Sequence, residues 1–551
     1  MASAGAIERR SLFDRLAGRL ILASGWRRAL IALLAGATAT AALAPLDFPF
    51  AGFIAFPTLV WLLDGVGVDV EAGRIRRLGQ PFLIGWLFGF GYFVAGLWWL
   101  GAALLVDAGS FIWFLPLAVL GLPAILAMFF GLAAVLSRLF WSDSAWRILG
   151  LAACFGLAEW LRSFVLTGFP WNEIGYMAAS HAVLMQSASV TGIGGLTIFA
   201  VFVFSAPAVL VDRHGRLPVI GLAVLAVVAH LGYGVWRLES SSTAFNQTVA
   251  LQLVQPNIVQ SLKWDPEIAD QNFDKLIDMT LSKEASPGSP EGRGAGSENA
   301  PRRLIIWPET AFPFVLTDRP DAISRLADTL ASGETLIAGA ARVDRSEEGR
   351  QRVYNTIYVI DDEGTIKNAS DKVHLVPFGE YLPFQDLLES WGISNLVNMP
   401  GGFSAGPMLE PVPLEDAPPY LPLICYEVIF PSEIKVGEPS PGFILNVTND
   451  AWYGETPGPY QHLRMANVTA VALGLPLVRS ANTGISVVTD AFGREIGGLG
   501  LGATGNLVAS LPSDTVTTLY RSYGDRIFFG LLLAFAAISI LARLALRFGK
   551  R

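Results

Sequence analysis

The sequence predicts a polytopic α-helical membrane domain joined near residue 237 to an α/β layered domain. Three observations carry this. The 551 residues are 52% hydrophobic and only 16% charged, too apolar for an ordinary water-soluble chain. Long uncharged runs crowd the first 236 residues and recur once near the C-terminus. Between them, from Gln247, short β-rich runs alternate with turns and polar helical stretches, the pattern of a layered α/β domain.

The membrane elements come first. Six arginines (Arg9, Arg10, Arg15, Arg19, Arg27 and Arg28) precede Ala29. The apolar stretch that follows runs past signal-peptide length, so it reads as a retained first helix. Uncharged runs span 29–46, 48–63, 81–106, 108–137, 148–158 continuing past Glu159, 188–211, 217–236 and 527–542. Several reach the ~20 residues that a helix needs to cross roughly 30 Å of hydrocarbon. Eight spans put the N-terminal arginines, Arg74, Arg76, Arg77, Arg138, Arg147, Arg213, Arg216 and the tail cations Arg543, Arg547, Lys550 and Arg551 on one side. The positive-inside rule then makes both termini cytoplasmic and the large polar segment extracytoplasmic. A count of six, with the first two runs as a re-entrant hairpin, keeps that orientation. The expected division is a basic segment 1–28, about seven helices in 29–236, a soluble domain 237–525, and a last span with a basic tail in 526–551.

Glu159 and Arg162 lie three apart, so they share a helix face and neutralise each other. A self-paired bridge is favoured over a lipid-headgroup site. Thr167-Gly-Phe-Pro-Trp171 reads as an interfacial turn with an aromatic anchor. The net charge of −8 gives no sign of nucleic-acid binding.

In the soluble part, strands are expected at Val249–Gln255, Leu304–Trp307, Thr335–Ala340, Val353–Ile360, Tyr420–Cys425, Gly442–Val447, Leu477–Arg479 and Ile485–Thr489. Pro266–Ser282 reads as an amphipathic helix. Glu284–Arg302, rich in Ser, Pro, Gly and charge, reads as a surface insertion.

Three segments end a strand on a reactive side chain: Trp307-Pro-Glu309, Asp371-Lys372 with Glu380 eight residues on, and Ile424-Cys425-Tyr-Glu427. Strand ends on one sheet edge are where α/β folds build sites. Only two cysteines occur, Cys425 and the intramembrane Cys154, so a disulfide or a cysteine metal cluster is not expected. A lone thiol is weak at its free pKa of about 8.5, and a lysine and a base would activate it. Glu309 suits the base and Lys372 the oxyanion stabiliser. His374 and His462 read as structural, and Asn482-Thr-Gly484 as a tight turn near the thiol. The His and acid spacings match no metal site and no Gly-rich phosphate loop follows a strand, so no metal and no cofactor are expected.

The order Trp-Pro-Glu, Lys, Cys-Tyr-Glu resembles the nitrilase (carbon-nitrogen hydrolase) superfamily. Gln255–Trp264, Lys372–Tyr381, Asn449–Trp452, Glu159–Arg162 and Thr167–Trp171 narrow the resemblance to the apolipoprotein N-acyltransferase family, over nearly the whole chain. The resemblance implies a nitrilase-like α-β-β-α sandwich outside the cytoplasm and a catalytic triad of Glu309 (base), Lys372 (oxyanion) and Cys425 (nucleophile). Glu380, Tyr426 and Glu427 would support the site, with Glu380 orienting Lys372. Trp264 and Trp452 would bind or gate substrate. It implies transfer of an acyl chain from a membrane phospholipid, phosphatidylethanolamine above all, through a Cys425 thioester. The acceptor would be the α-amine of diacylglyceryl-cysteine in apolipoproteins, at a bacterial inner membrane with the catalytic domain periplasmic.

The rival with the same triad is a membrane-anchored nitrilase-type amidase, in which water resolves the thioester. A simple hydrolase needs at most one anchor, so eight spans favour the transferase. A dead domain on a transporter ranks below both, because all three triad residues are present. The apolar segment Leu382–Met399, with Phe384, Leu387, Leu388, Trp391, Ile393 and Leu396, reads equally as a lid leaning on the bilayer and as a packed amphipathic helix.

Overall fold

The computed structural model describes residues 12–66, 74–106, 108–282, 284–287, 289–290, 302–345, 351–385, 390 and 402–548. Five helices are long and apolar enough to cross a membrane: Leu78–Leu105, Ile112–Ser137, Ala188–Val211, Arg216–Glu239 and Arg526–Leu546. The other expected runs are also helical but short: Gly25–Ala39, Gly52–Asp64 and Arg147–Arg162 have 15, 13 and 16 residues. An amphipathic helix, Leu12–Ile21, precedes them and meets the next helix at 118°. Helices Gly25–Ala39 and Arg74–Leu97 touch backbone to backbone. A Cβ on Gly36 would lie 1.8 Å from the Phe88 carbonyl oxygen, and one on Gly91 2.0 Å from that of Leu33. Such glycines replace the hydrophobic drive that lipid cannot supply.

Three loops expected on one side of the membrane do meet. Arg147 Nη2 donates to Asp64 Oδ2 at 2.8 Å, and its Nη1 pairs with Asp212. Arg9, Arg10, Lys550 and Arg551, also used for orientation, lie outside the described residues.

The soluble half holds two six-stranded sheets. The first runs β12 (Gly505–Pro512), β1 (Phe245–Gln255), β2 (Arg302–Trp307), β3 (Glu334–Asp344), β4 (Arg352–Ile360), β5 (Ile366–Asp371). The second runs β11 (Glu495–Leu499), β10 (Ser486–Thr489), β9 (Leu477–Ala481), β8 (Phe443–Thr448), β7 (Ala417–Ile424), β6 (Val412–Leu414). The central neighbours β1–β2–β3 and β7–β8–β9 are parallel, and the flanking pairs antiparallel. Side chains alternate as strands require. Leu304 and Ile306 enter the core between the sheets with Leu445 and Val447. Ile305 and Trp307 face outward onto helices Ala269–Leu281 and Pro320–Thr329.

The other outer layer is helix Pro457–Leu473, and it decides where the site sits. One flank packs on β7, β8 and β9, and its core is continuous with the membrane helices. The sandwich therefore shares one of its layers with the membrane half. Four strands (β5, β6, β11 and β12) were absent from the sequence expectation. Of the expected insertion 284–302, residues 291–301 lie outside the described residues, Ser286 N–H donates to Asn506 O at 2.9 Å, and Arg302 opens β2. The expected lid lies largely outside the described residues; within it, Leu382 is buried and Phe384 exposed.

Candidate active site

Three strand ends converge. β2 stops at Trp307, Pro308 cannot continue the ladder, and Glu309 follows. Thr310 sits at φ +44°. Gly339 on β3 permits this turn, because a Cβ there would lie 2.6 Å from Glu309 Cα. Lys372 follows β5, and Cys425 follows β7 at φ +53°. A non-glycine residue held there is strained, as residues at functional sites often are.

Asn355 on β4 ties two of the acids together. Its Nδ2 donates to Glu309 Oε1 at 2.8 Å and to Glu380 Oε1 at 3.0 Å. Lys372 Nζ lies 2.9 Å from Glu380 Oε1 and 3.8 Å from Glu309 Oε1. Glu380 Oε2 accepts the Val376 N–H at 2.9 Å. Lys372 is thus bonded to Glu380 and stands off from Glu309. Glu309 Oε2 is buried with no hydrogen-bond partner.

Glu427 joins the lysine loop to the thiol turn. It accepts the N–H groups of Val373 (2.7 Å), His374 (3.0 Å) and Ile424 (2.8 Å). Its carboxylate is used up on backbone and positions both reactive residues.

On the far side of the thiol lies a second charged cluster. Thr448 Oγ1 is 3.2 Å from Cys425 Sγ and 3.1 Å from Asp450 Oδ1. Asp450 Oδ2 accepts from Arg479 Nη2 at 2.8 Å, and Oδ1 lies 2.9 Å from His462 Nδ1. His462 Nε2 reaches the Cys425 carbonyl oxygen at 3.2 Å. Cys425 Sγ, a carboxylate oxygen of Asp450 and a ring nitrogen of His462 fall within 4.8 Å of one another. Arg479 already neutralises that carboxylate, and a guanidinium beside the trio opposes a bound cation.

These charges set the proton positions. Burial pushes the Cys425 thiol up to about 12, aided by the charges of Glu309 and Asp450 and opposed by Lys372. Cys425 therefore rests as a thiol. Burial also raises Glu309, against the pull of Lys372. Burial alone would lower Lys372, but Glu380, Glu309, Cys425 and Glu427 outweigh it and hold the ammonium charged. Burial would raise Asp450, yet Arg479 and His462 bring it down to about 2. A thiol, a carboxylate with a free oxygen and a fixed ammonium can perform covalent acyl transfer, with the proton moving from sulfur to carboxylate as the bond forms.

Of the other expected residues, Tyr426 turns to the membrane half, where its hydroxyl donates to Gly168 O at 3.1 Å. Trp264 and Trp452 are half-buried in the loops around the site, with no hydrogen bond to the triad among the described residues. His374 lies 2.8 Å from Glu433 and stacks on Phe430. Asn482 clamps the 257–260 loop, donating to Ile258 O and accepting its N–H. Glu159 and Arg162 are paired as expected, and Arg162 also donates to the carbonyls of Phe169 and Trp171.

Sequence reasoning missed Lys263, Asn355, Thr448, Asp450 and Arg479. Lys263 is buried, donates to Glu309 O and Thr310 Oγ1 at 2.8 Å each, and is lowered by burial to about 8. The usable signal was a polar residue inside each apolar strand run, at Asn355, Thr448 and Arg479. Lys263 gave none.

Comparison with known proteins gives the family. The family described as apolipoprotein N-acyltransferase N-terminal domain matches residues 35–206, and that described as carbon-nitrogen hydrolase matches residues 251–521. An apolipoprotein N-acyltransferase from Brucella suis is 51% identical over 506 residues, covering 91% of this chain and 93% of that protein. The chain belongs to the apolipoprotein N-acyltransferase family. A second member, from Rhizobium rhizogenes, is 49% identical over 537 residues, 96% of this chain and 98% of its own length. Among solved structures, an amidase from Nesterenkonia sp. is 20% identical with a TM-score of 0.34, covering 53% of this chain and 98% of the amidase. With family membership and, among the described residues, five helices long and apolar enough to cross a membrane, the chain is a membrane-bound acyltransferase built on a carbon-nitrogen hydrolase fold.

Proposed function

We propose that this chain acylates the N-terminal amine of diacylglyceryl-cysteine in apolipoproteins, taking the acyl chain from a membrane phospholipid. In the first half-reaction Glu309 takes the Cys425 proton as sulfur attacks the acyl ester carbonyl. Lys372 holds the oxyanion. The intermediate collapses to a Cys425 thioester, and the lysophospholipid alkoxide leaves with the proton from Glu309. In the second half-reaction the α-amine attacks the thioester, Glu309 removes the amine proton and returns it to sulfur, and an amide forms.

The observation that carries the reading is the shared layer. Helix Pro457–Leu473 bears Gln461, whose Oε1 accepts from Trp99 Nε1 (3.1 Å), Trp171 Nε1 (2.9 Å) and Asn172 Nδ2 (3.1 Å) of the membrane half. The next residue, His462, touches the Cys425 carbonyl. Cys425 is thus linked through neighbouring residues of one helix to the membrane half, which supports a lipid ester as its target. A hydrolase has no need of that placement.

Phosphatidylethanolamine as donor, a bacterial inner membrane, a periplasmic catalytic domain and cytoplasmic termini complete the proposal. The orientation rests on the charge pattern of the loops and is supported by the meeting of Asp64, Arg147 and Asp212; the donor and the bacterial membrane rest on the family resemblance. Trp264 and Trp452 are assigned to the substrate entrance.

The test uses phospholipid with a labelled acyl chain and mass analysis of the denatured enzyme. Label should attach to Cys425 and pass to a diacylglyceryl-cysteine peptide faster than to water. Absence of label on Cys425, or its direct release as free acid with the peptide present, overturns the proposal.

A further inference from the structure

Behind the thiol turn, at the seam between the two halves, lies a small cavity of about 20 Å³. That is room for one water-sized group. Its walls come from the ends of three membrane helices, the 429–432 segment that follows the thiol turn, and the stretch leading into the last helix. Glu173 and Asp525 both line it, with Tyr520, Ser163, Trp160 and Phe528.

The two acids there are poorly partnered. Glu173 is 4% exposed, and its carboxylate has no hydrogen bond among the described residues. Burial, with Glu159 and Asp525, pushes its carboxyl well above the ordinary carboxylate range against the pull of Arg162, so it rests neutral until a cation enters. Arg162 is spent elsewhere, with its guanidinium on Glu159 and on the carbonyls of Phe169 and Trp171. Asp525 accepts only long bonds, from Trp160 Nε1 and Tyr520 OH at 3.3 Å each. An unpaired buried carboxylate is costly, and one that faces a cavity beside a second acid asks for a cation.

We propose that this cavity receives a primary ammonium group, that of the ethanolamine headgroup of the donor phospholipid. The walls favour an organic ammonium over a metal ion. Trp160 and Phe528 line it, and aromatic rings suit an alkylammonium, where a hard cation would need six or more oxygens. The neighbouring turn exposes Phe164, Val165 and Leu166 by 44, 41 and 86%, an apolar surface suited to lipid. The acceptor's own α-amine is the other source of this chemistry. It has to reach the thioester carbon on Cys425, which does not line the cavity, so the donor headgroup is the better occupant. The inference rests on the phospholipid donor proposed above.

The test uses the full chain in vesicles holding donors with identical acyl chains: phosphatidylethanolamine, its N-acetylated form, and phosphatidylglycerol. The rate of thioester formation on Cys425 is measured against donor fraction for wild type, Glu173→Gln, Glu173→Asp and Asp525→Asn. Glu173→Gln should reduce the preference for the ammonium donor about tenfold, through apparent KM, as expected for a lost charge-assisted contact. Glu173→Asp should restore part of it. An unchanged preference, or an equal loss on all three donors, overturns the site and leaves a hydrated or structural acid. If Glu173→Gln instead raises KM for the acceptor peptide, the headgroup assignment falls and the ammonium is the acceptor's. Failure of the acyltransferase reading looks different, since no donor would then label Cys425 in wild type.

Discussion

Two charged clusters flank Cys425, and they differ in completeness. On one side Asp450, Arg479 and His462 are buried with every polar atom paired. On the other, Glu309 and Asn355 each leave an oxygen unpartnered, and Lys372 stands 3.8 Å from Glu309. A satisfied network fixes geometry, whereas an unsatisfied one is costly unless it is used. The contrast supports a scaffold role for the first cluster and the proposed chemistry for the second.

The strongest way to break that contrast is to remove the reactive groups. Cys425→Ala should abolish the acyl-enzyme, read as loss of label in the denatured protein. Glu309→Gln and Lys372→Met should each slow thioester formation by about a thousandfold with the fold intact by thermal melting. Equal losses from conservative changes in the Asp450 cluster at unchanged melting temperature would erase the distinction.

The pH dependence comes next. Glu309 acts as base only when ionised, and burial raises it. Acylation should therefore climb with pH along a limb above the ordinary carboxylate range. In Glu309→Gln that limb should vanish, leaving only the rise set by a thiol near 12. Rates of single-turnover acylation from pH 4 upward check this.

The scaffold side should read out as stability. Arg479→Met strands Asp450 and should cost about 3–5 kcal/mol, seen as a lower melting temperature. The sign for acid is fixed by the depressed Asp450. Its stabilisation is full above its ordinary value of 3.8 and is lost as pH falls through about 2. Asp450→Asn should remove that acid-sensitive part of the unfolding curve.

Two smaller effects sharpen the boundary. Lys263 lowers Glu309 electrostatically, so Lys263→Met should move the Glu309 limb to higher pH. Thr448 bonds the thiol and lowers its pKa slightly. Thr448→Val should slow acylation only several-fold, with no change in the Glu309 limb.

Much of this was legible before any coordinates. Eight of the twelve strands carry their own apolar runs, and the triad stands at three strand ends marked by Pro308, Lys372 and Cys425. β12 did not announce itself, because its apolar run is short, opens on Gly505-Asn506 and is interrupted by Ser510, a weak local strand signal. β11, with Gly497 and Gly498, has little strand propensity. Lys263 was passed over beside Trp264, since nothing local distinguishes a buried lysine from a solvated one.

The sequence by itself determined the two-part architecture, the loop charge asymmetry and the placing of Glu309, Lys372 and Cys425 just after strands, because hydropathy, loop charge and strand-end patterns are local properties. Only the tertiary structure decided which groups the thiol feels, that Lys372 bonds Glu380 and leaves Glu309 an open oxygen, and that helix Pro457–Leu473 belongs to both halves. Those depend on side chains hundreds of residues apart sharing one low-dielectric interior, where distance and burial, not order along the chain, set the energy.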